Sequence, residues 1–518
     1  MRFGKLFFAA LISISLAYAQ TPAEQTFVLS SSKLAPLETD FALQTECGKP
    51  ATSQQKNEPK LVARVCAGQS TSVNWSSPTD KLAARRIYLE TEVQVDNATV
   101  NEIIFLMTSF DENKVVSHVG GIYNPNVGAL SLSTYIPANA KRVMLALQFN
   151  QWGEGKTTIS NPRIFISEQS FAAGDMCADC KTRLDESLER VRRKFLFADR
   201  IDLAAMERNL LLSASGARNV GELDASLKEF ARVLNEPHTR FLSIAEVNLV
   251  KKKMAQSQQA AQRTQATQPK PQASEQKRNT SNQADEPTTV LSTVIANNIG
   301  YVRIRGGGGA DFAGRAGYAR QIRSAFNRLH AMGTTRWVID LREHGGGSTP
   351  PLIAAMRPLL GLGKIGGTVA ANNSQTPWLF GIGGIESSGE NEAYFRKDDS
   401  VFISACAPTA LITGAQTASS AEALVVAFKA RTNTRVFGEP TAGYTTSVFD
   451  PFFDDGSLLA LASARLADRN GSLYAGRIEP DEMLPPLGAA LPREDDAWVK
   501  VAAKWLNAKD ISTPLNCQ

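Results

Sequence analysis

Three short segments in the C-terminal half hold the residues best suited to chemistry. Val338–Gly347 reads Val-Ile-Asp-Leu-Arg-Glu-His-Gly-Gly-Gly, an apolar strand running into three glycines whose bare backbone can bring N–H groups close to a ligand. Thr417–Leu424 reads Thr-Ala-Ser-Ser-Ala-Glu-Ala-Leu, small residues at the end of a strand followed by the start of a helix. A hydroxyl at a helix N-terminus sits among unpaired N–H donors, a place suited to stabilising an oxyanion. The plainer reading makes Ser419 or Ser420 an N-cap, with Glu422 closing a capping box. The third segment, Gly438-Glu439-Pro440-Thr441-Ala442-Gly443, is a turn on the far side of the same helix.

The elements around these segments alternate between strand and helix. Gly300–Ile304 and Thr335–Leu341 read as strands around a helix at Tyr318–Met332. Strands at Val401–Ser404 and Ala410–Thr413 precede a helix at Ser420–Ala430. Further strands follow at Val436–Gly438 and Leu458–Ala464. Such alternation predicts an α/β domain with parallel strands at its centre.

The N-terminal half has a different texture. Ile87–Val95, Glu102–Ser109, Ala129–Ile136, Arg142–Phe149 and Thr158–Ile166 alternate with period two and lack intervening helices, which predicts a β-sandwich. Trp75, Tyr123, Tyr135 and Trp152 suit either a sugar-stacking surface or the core and rim of that sandwich. Helical spacing takes over at Thr182–Phe197, Leu203–Ser213 and Val220–Leu234, up to Leu234-Asn235-Glu236-Pro237-His238-Thr239-Arg240-Phe241. Lys251–Val290 then holds nine Gln and no aromatic, Leu or Ile, so it cannot bury enough apolar surface to offset its ordering entropy. The expected plan is a signal peptide at 1–19, a β-sandwich at 20–171, a helical segment at 172–245, a Gln-rich linker at 246–292 and an α/β core at 293–518.

The first nineteen residues set Arg2 and Lys5 before a short apolar run and end in Ala17-Tyr18-Ala19, the pattern of a cleaved export signal. The mostly apolar stretch Leu6–Leu16, eleven residues, is too short to span a ~30 Å hydrocarbon core, so the expected location is secreted or periplasmic, without stable membrane insertion. Six cysteines fit an oxidising compartment, and their order suggests Cys47–Cys66, Cys177–Cys180 and Cys406–Cys517. For Cys177-Ala178-Asp179-Cys180 a structural disulfide, redox chemistry and metal binding are all open readings.

Composition narrows the classes further. The 518 residues are 43% hydrophobic and 21% charged, with a net charge of +5, which excludes a disordered chain and a polytopic membrane protein. Lys and Arg are scattered, leaving no nucleic-acid footprint. No cofactor and no metal site is indicated.

Taken together, Gly300–Ile304, Asp340-Leu341-Arg342 with its glycines, Thr417–Glu422, Gly438–Gly443, Asp455-Gly456-Ser457 and Ile478-Glu479-Pro480-Asp481 occur in family order. The chain resembles the serine peptidase family of C-terminal processing (tail-specific) and tricorn-type proteases, over about Thr182–Pro486. The resemblance implies a ClpP/crotonase-like α/β core and endopeptidase chemistry on a peptide or unfolded protein. It places the nucleophile at Ser419, and the oxyanion hole at the backbone N–H groups of Ser420 and Gly346. His344 stands where the family commonly has Asn.

Processing-type members pair the serine with a lysine just after the Gly-Glu-Pro-Thr turn. Here Tyr444 occupies that place, and no Lys lies between Lys429 and Lys500. Tricorn-type members use an upstream histidine, which the resemblance places at His238; His344 is the alternative base. The orienting acid is Glu479 by proximity to the C-terminal motif or Asp468, since the tricorn acid falls near Ala475. The interval where many relatives carry a PDZ domain holds only the Gln-rich stretch. The expected function is an exported serine endopeptidase using Ser419 and His238. The competing one is a non-catalytic protein that binds peptides, or glycans at the β-domain, on a peptidase fold. An acyl-CoA enzyme on the same core fits poorly with export.

Overall fold

The computed structural model describes residues 34–36, 42–45, 60–65, 70–78, 82–96, 100–123, 129–151, 155–252, 289–307, 312–381, 384–385, 404–449, 452–486 and 493–509. Residues 1–19, expected to be an export signal, most of the Gln-rich stretch, Trp152, Cys47, Cys66 and Cys517 lie outside them. The chain forms two compact units, Ala17–Lys251 with Pro451–Leu461, and Lys252–Asp450 with Ala462–Gln518.

The first unit holds two five-stranded antiparallel sheets and a group of helices. Alternation along Arg85–Asp96 turns Ile87 and Leu89 inward, and these join Phe105, Met107, Val143, Leu145, Ile164 and Ile166 in one buried cluster. Burying such a face is what makes these period-two runs strands, and the two packed sheets are a sandwich. Lys114–Tyr123 is a strand that the period-two reading passes over. The Tyr135 ring is buried and its hydroxyl donates to Phe171 O at 3.0 Å, which places it in the core and away from any sugar-stacking surface.

Helices Ala178–Lys194, Leu203–Ala214 and Asp224–Val233 follow the sheets. Arg86, fully buried, ties this region together by donating to the Ser213, Ser215 and Glu222 carbonyls and to Ser133. Residues 452–461 belong to this unit. Phe453 is stacked by the Arg183 and Arg190 guanidinium groups, each 4.0 Å from its centroid. Arg183 also pairs with Asp455 at 2.9 Å, and Leu458–Ala460 pairs antiparallel with the strand Arg240–Leu242.

The second unit is built on a six-stranded sheet in the order Val290–Ile295, Ile299–Ile304, Arg336–Asp340, Thr409–Thr413, Thr434–Gly438 and Glu482–Met483. The first pair is antiparallel and every later pair parallel. Strands buried on both faces need helices on both. Val302, Ile339, Leu411 and Val436 meet the helices Phe312–Ala331, Thr349–Ala355 and Ser420–Lys429 on one side. Tyr301, Val338, Ile412 and Phe437 meet the helix Ala497–Asn507 on the other.

Candidate active site

Because the central strands run parallel, the turns that follow Arg336–Asp340 and Thr409–Thr413 emerge at one edge of the sheet, where α/β folds carry their sites. The first of these turns holds the three glycines, and the second leads to Ser419. Two bonds fasten one turn to the other: Thr417 Oγ1 donates to Leu341 O at 2.9 Å, and Ala418 N donates to His344 O at 3.0 Å.

Ser419 precedes the helix Ser420–Lys429 with φ 54° and ψ −111°. An ordinary N-cap residue sits in the extended region; Ser419 does not, although the expected capping box with Glu422 is present. A side chain held at these angles costs on the order of 1–3 kcal/mol, a cost that persists only where surrounding contacts enforce it. Glu422 enforces it. Its fully buried carboxylate accepts from Ser419 N, Gly443 N and Tyr444 N, each at 2.8 Å, and from the Thr441 hydroxyl. Burial pushes this carboxyl above its ordinary pKa, and the four donors work against that rise. One carboxylate therefore fixes the serine's backbone and the Gly438–Gly443 turn together.

Gly346 approaches the serine from the other turn. A Cβ placed on it would lie 3.1 Å from Ser419 Cβ and 3.7 Å from its Oγ, and its φ of +111° favours glycine. The Gly346 N–H is directed at His344 Nδ1, 3.3 Å away. An accepting Nδ1 leaves the ring proton on Nε2, which donates to Tyr318 Oη at 3.0 Å, and that hydroxyl donates to Arg305 O at 3.0 Å. His344 is fully buried, and burial depresses its pKa to about 4. A neutral ring with both nitrogens engaged is a support for the glycine turn, not a base facing a substrate. Beneath it, Asp340 accepts from Tyr301 Oη at 2.7 Å and from the Arg342 guanidinium at 2.6 Å. Arg342 reaches on to Asp496 at 2.7 Å.

Residues 298–484 match the family described as Peptidase family S41. This segment is a peptidase family S41 domain. The Nisin-resistance protein of Lactococcus lactis subsp. lactis is 29% identical over 165 residues, covering 32% of this chain and 50% of its own length. The chloroplastic Carboxyl-terminal-processing peptidase 2 of Arabidopsis thaliana is 29% identical over 180 residues, 34% of this chain and 31% of its own length. The chain thus spans half or less of the curated relatives it matches. Among solved structures, a lipoprotein from Streptococcus agalactiae superposes with a TM-score of 0.48 at 18% identity, over 63% of this chain and 96% of that one. The photosystem II D1 C-terminal processing protease does so with a TM-score of 0.39 at 16% identity, over 60% and 94%.

Within the S41 domain, Ser419, Ser420 and Gly346 come together as one cluster. Tyr444, at the lysine position, is partly exposed and hands its backbone N–H to Glu422. Glu479 is exposed. Asp468 is buried and occupied, accepting from Asn470 N and Ser472 N and from Tyr474 Oη, so it closes its own turn. His238 belongs to the other unit, half-buried in the turn before Arg240–Leu242, where Glu236 accepts its backbone N–H at 2.9 Å. Among the described residues no His, Cys, Asp and Glu cluster is arranged to hold a metal ion, and no helix is long and apolar enough to cross a membrane. The residue whose role exceeds its sequence reading is Glu422. Its place three residues after Ser419 predicts only a cap, whereas three of its four donors come from residues 441–444.

Proposed function

We propose that this protein is an exported serine endopeptidase that cleaves peptides or unfolded proteins through an acyl-enzyme. The observation carrying this reading is the backbone of Ser419, forced to φ 54° at a helix N-terminus with Gly346 packed against it. A capping box does not require that backbone, which sets the Ser419 side chain at a helix N-terminus beside Gly346. The S41 domain and a curated relative named as a carboxyl-terminal-processing peptidase support the same chemistry.

In this reading Ser419 Oγ attacks the scissile carbonyl carbon while His238 takes its proton and later returns it to the leaving amine. The oxyanion is received by the Ser420 N–H and by the Gly346 N–H once the carbonyl oxygen displaces the His344 ring as its acceptor. Glu479 is the proposed acid that orients His238.

The test is labelling of the full chain with a fluorophosphonate probe. Label should appear on Ser419, vanish in Ser419→Ala and fall sharply in His238→Ala. Label that persists in Ser419→Ala would move the nucleophile elsewhere. No label on the folded wild-type chain would favour a non-catalytic binding protein on the same fold.

A further inference from the structure

The Cys177–Cys180 disulfide lies outside the S41 domain, and the chemistry above makes no use of it. Its placement is unusual for a staple. Cys177 is the N-cap of the seventeen-residue helix Ala178–Lys194, and Cys180 lies in that helix's first turn. A bridge across three residues closes a very short loop and restrains little of the unfolded chain, so its chain-entropy stabilisation is small.

The two sulfurs are not equivalent. Cys180 is fully buried and faces Ala217 O, whereas Cys177 is half-exposed. The Cys180 N–H points at Cys177 Sγ from 3.0 Å, and the start of the helix adds its unpaired N–H groups. Both features stabilise negative charge on Cys177 and so favour the reduced form. The nearby charges are Asp175 on the preceding turn, Asp179 and Lys181 on the helix, and Arg218 after Ala217, which is itself paired with Glu222.

From the accessible outer sulfur, the buried inner one and the N–H aimed at the outer, we infer that Cys177–Cys180 is a thiol–disulfide exchange site, attacked at Cys177 by a dithiol reductant. A thiolate of the dithiol attacks Cys177 Sγ. The Cys177–Cys180 bond breaks, and Cys180 leaves with the electron pair and takes a proton. The second thiol of the reductant then attacks the mixed disulfide, releasing Cys177 as a thiolate and the reductant as its own disulfide. Two electrons pass to the protein, and the reverse steps reoxidise it.

The experiment equilibrates the full chain with graded ratios of reduced to oxidised dithiothreitol, quenches with acid, alkylates and maps the peptides by mass. The Cys177–Cys180 pair should open at a ratio about tenfold lower than the disulfide of Cys406 requires, with the circular dichroism of the folded protein unchanged. In single-cysteine variants, glutathione disulfide should modify Cys177 of Cys180→Ser about 100-fold faster than Cys180 of Cys177→Ser. Opening only together with unfolding, or at the ratio that opens Cys406, would make the bridge a structural staple and overturn the inference. Equal modification rates at the two positions would overturn the assignment of Cys177 as the attacked sulfur.

Discussion

The backbone N–H of Ser419 ends on the carboxylate of Glu422, 2.8 Å away, and that bond holds the serine in a conformation its own side chain disfavours. Oε2 also takes the Tyr444 N–H, while Oε1 takes the Gly443 N–H and the Thr441 hydroxyl. Glu422→Gln replaces one oxygen by a donor and leaves two buried donors without an acceptor. The expected loss is about 2–4 kcal/mol in urea unfolding, with fluorophosphonate labelling slowed on the order of 100-fold as Ser419 shifts. Labelling at the wild-type rate would show that Glu422 does not position the nucleophile.

Ser419→Gly separates strain from chemistry. Glycine adopts φ 54° without cost, so the variant should gain roughly 1 kcal/mol of stability while losing all labelling at position 419. A drop in melting temperature would mean that the serine's conformation is not a strained one.

The buried His344 gives the fold a pH dependence of known sign. Its folded pKa of about 4 lies below the ordinary value of 6.5, so between these values the unfolded chain binds a proton that the folded one refuses. Stability is whole above pH 6.5 and falls as the pH drops towards 4, by about 3 kcal/mol from this group alone. Denaturant titrations at pH 7 and pH 4.5 measure it. His344→Asn, which keeps an acceptor for Gly346 and does not titrate, should flatten that part of the slope.

The glycine turn tolerates side chains unequally. A Cβ on Gly347 would fall 2.1 Å from Gly307 O at a φ of +142°, whereas one on Gly345 would meet nothing within 4 Å. Gly347→Ala should cost roughly 3 kcal/mol or more and Gly345→Ala well under 1 kcal/mol. Comparable melting temperatures for the two variants would contradict this packing.

How far the sequence could be read depended on whether each feature is local. Arg336–Asp340, Thr409–Thr413 and the helix after Ser419 announce themselves through apolar runs ending in glycines or small residues, and the parallel sheet follows from their alternation. Lys114–Tyr123 stays hidden because Gly120 and Gly121 interrupt its pattern. Gly120 is nonetheless needed, since a Cβ there would meet Leu106 at 2.8 Å, and its N–H goes to Glu229. The helix Phe312–Ala331 begins six residues before the expected Tyr318, across Gly314 and Gly317, which weaken its periodic signal. Ser419 is legible as a motif but its backbone angles are not. His344 reads from sequence as an alternative base on the glycine turn, whereas the structure buries it. It bonds to Tyr318, a residue on another element, and that kind of contact leaves no trace in local spacing.

The interleaving of the two units has a consequence for how the protein can be divided. The stretch that carries the family match, 298–484, encloses residues 452–461, whose partners Arg183, Arg190 and Arg240–Leu242 lie more than two hundred residues earlier. The segment that matches the family is therefore not the segment that forms one compact unit. Transplanting 298–484 into another protein would strand the Phe453 ring and leave the backbone of Leu458–Ala460 as an open strand edge, an invitation to self-association. A proteolytic nick anywhere in 253–288 would, for the same reason, sever the chain without freeing the Arg240–Leu242 strand from residues it already pairs with on the other side of the cut.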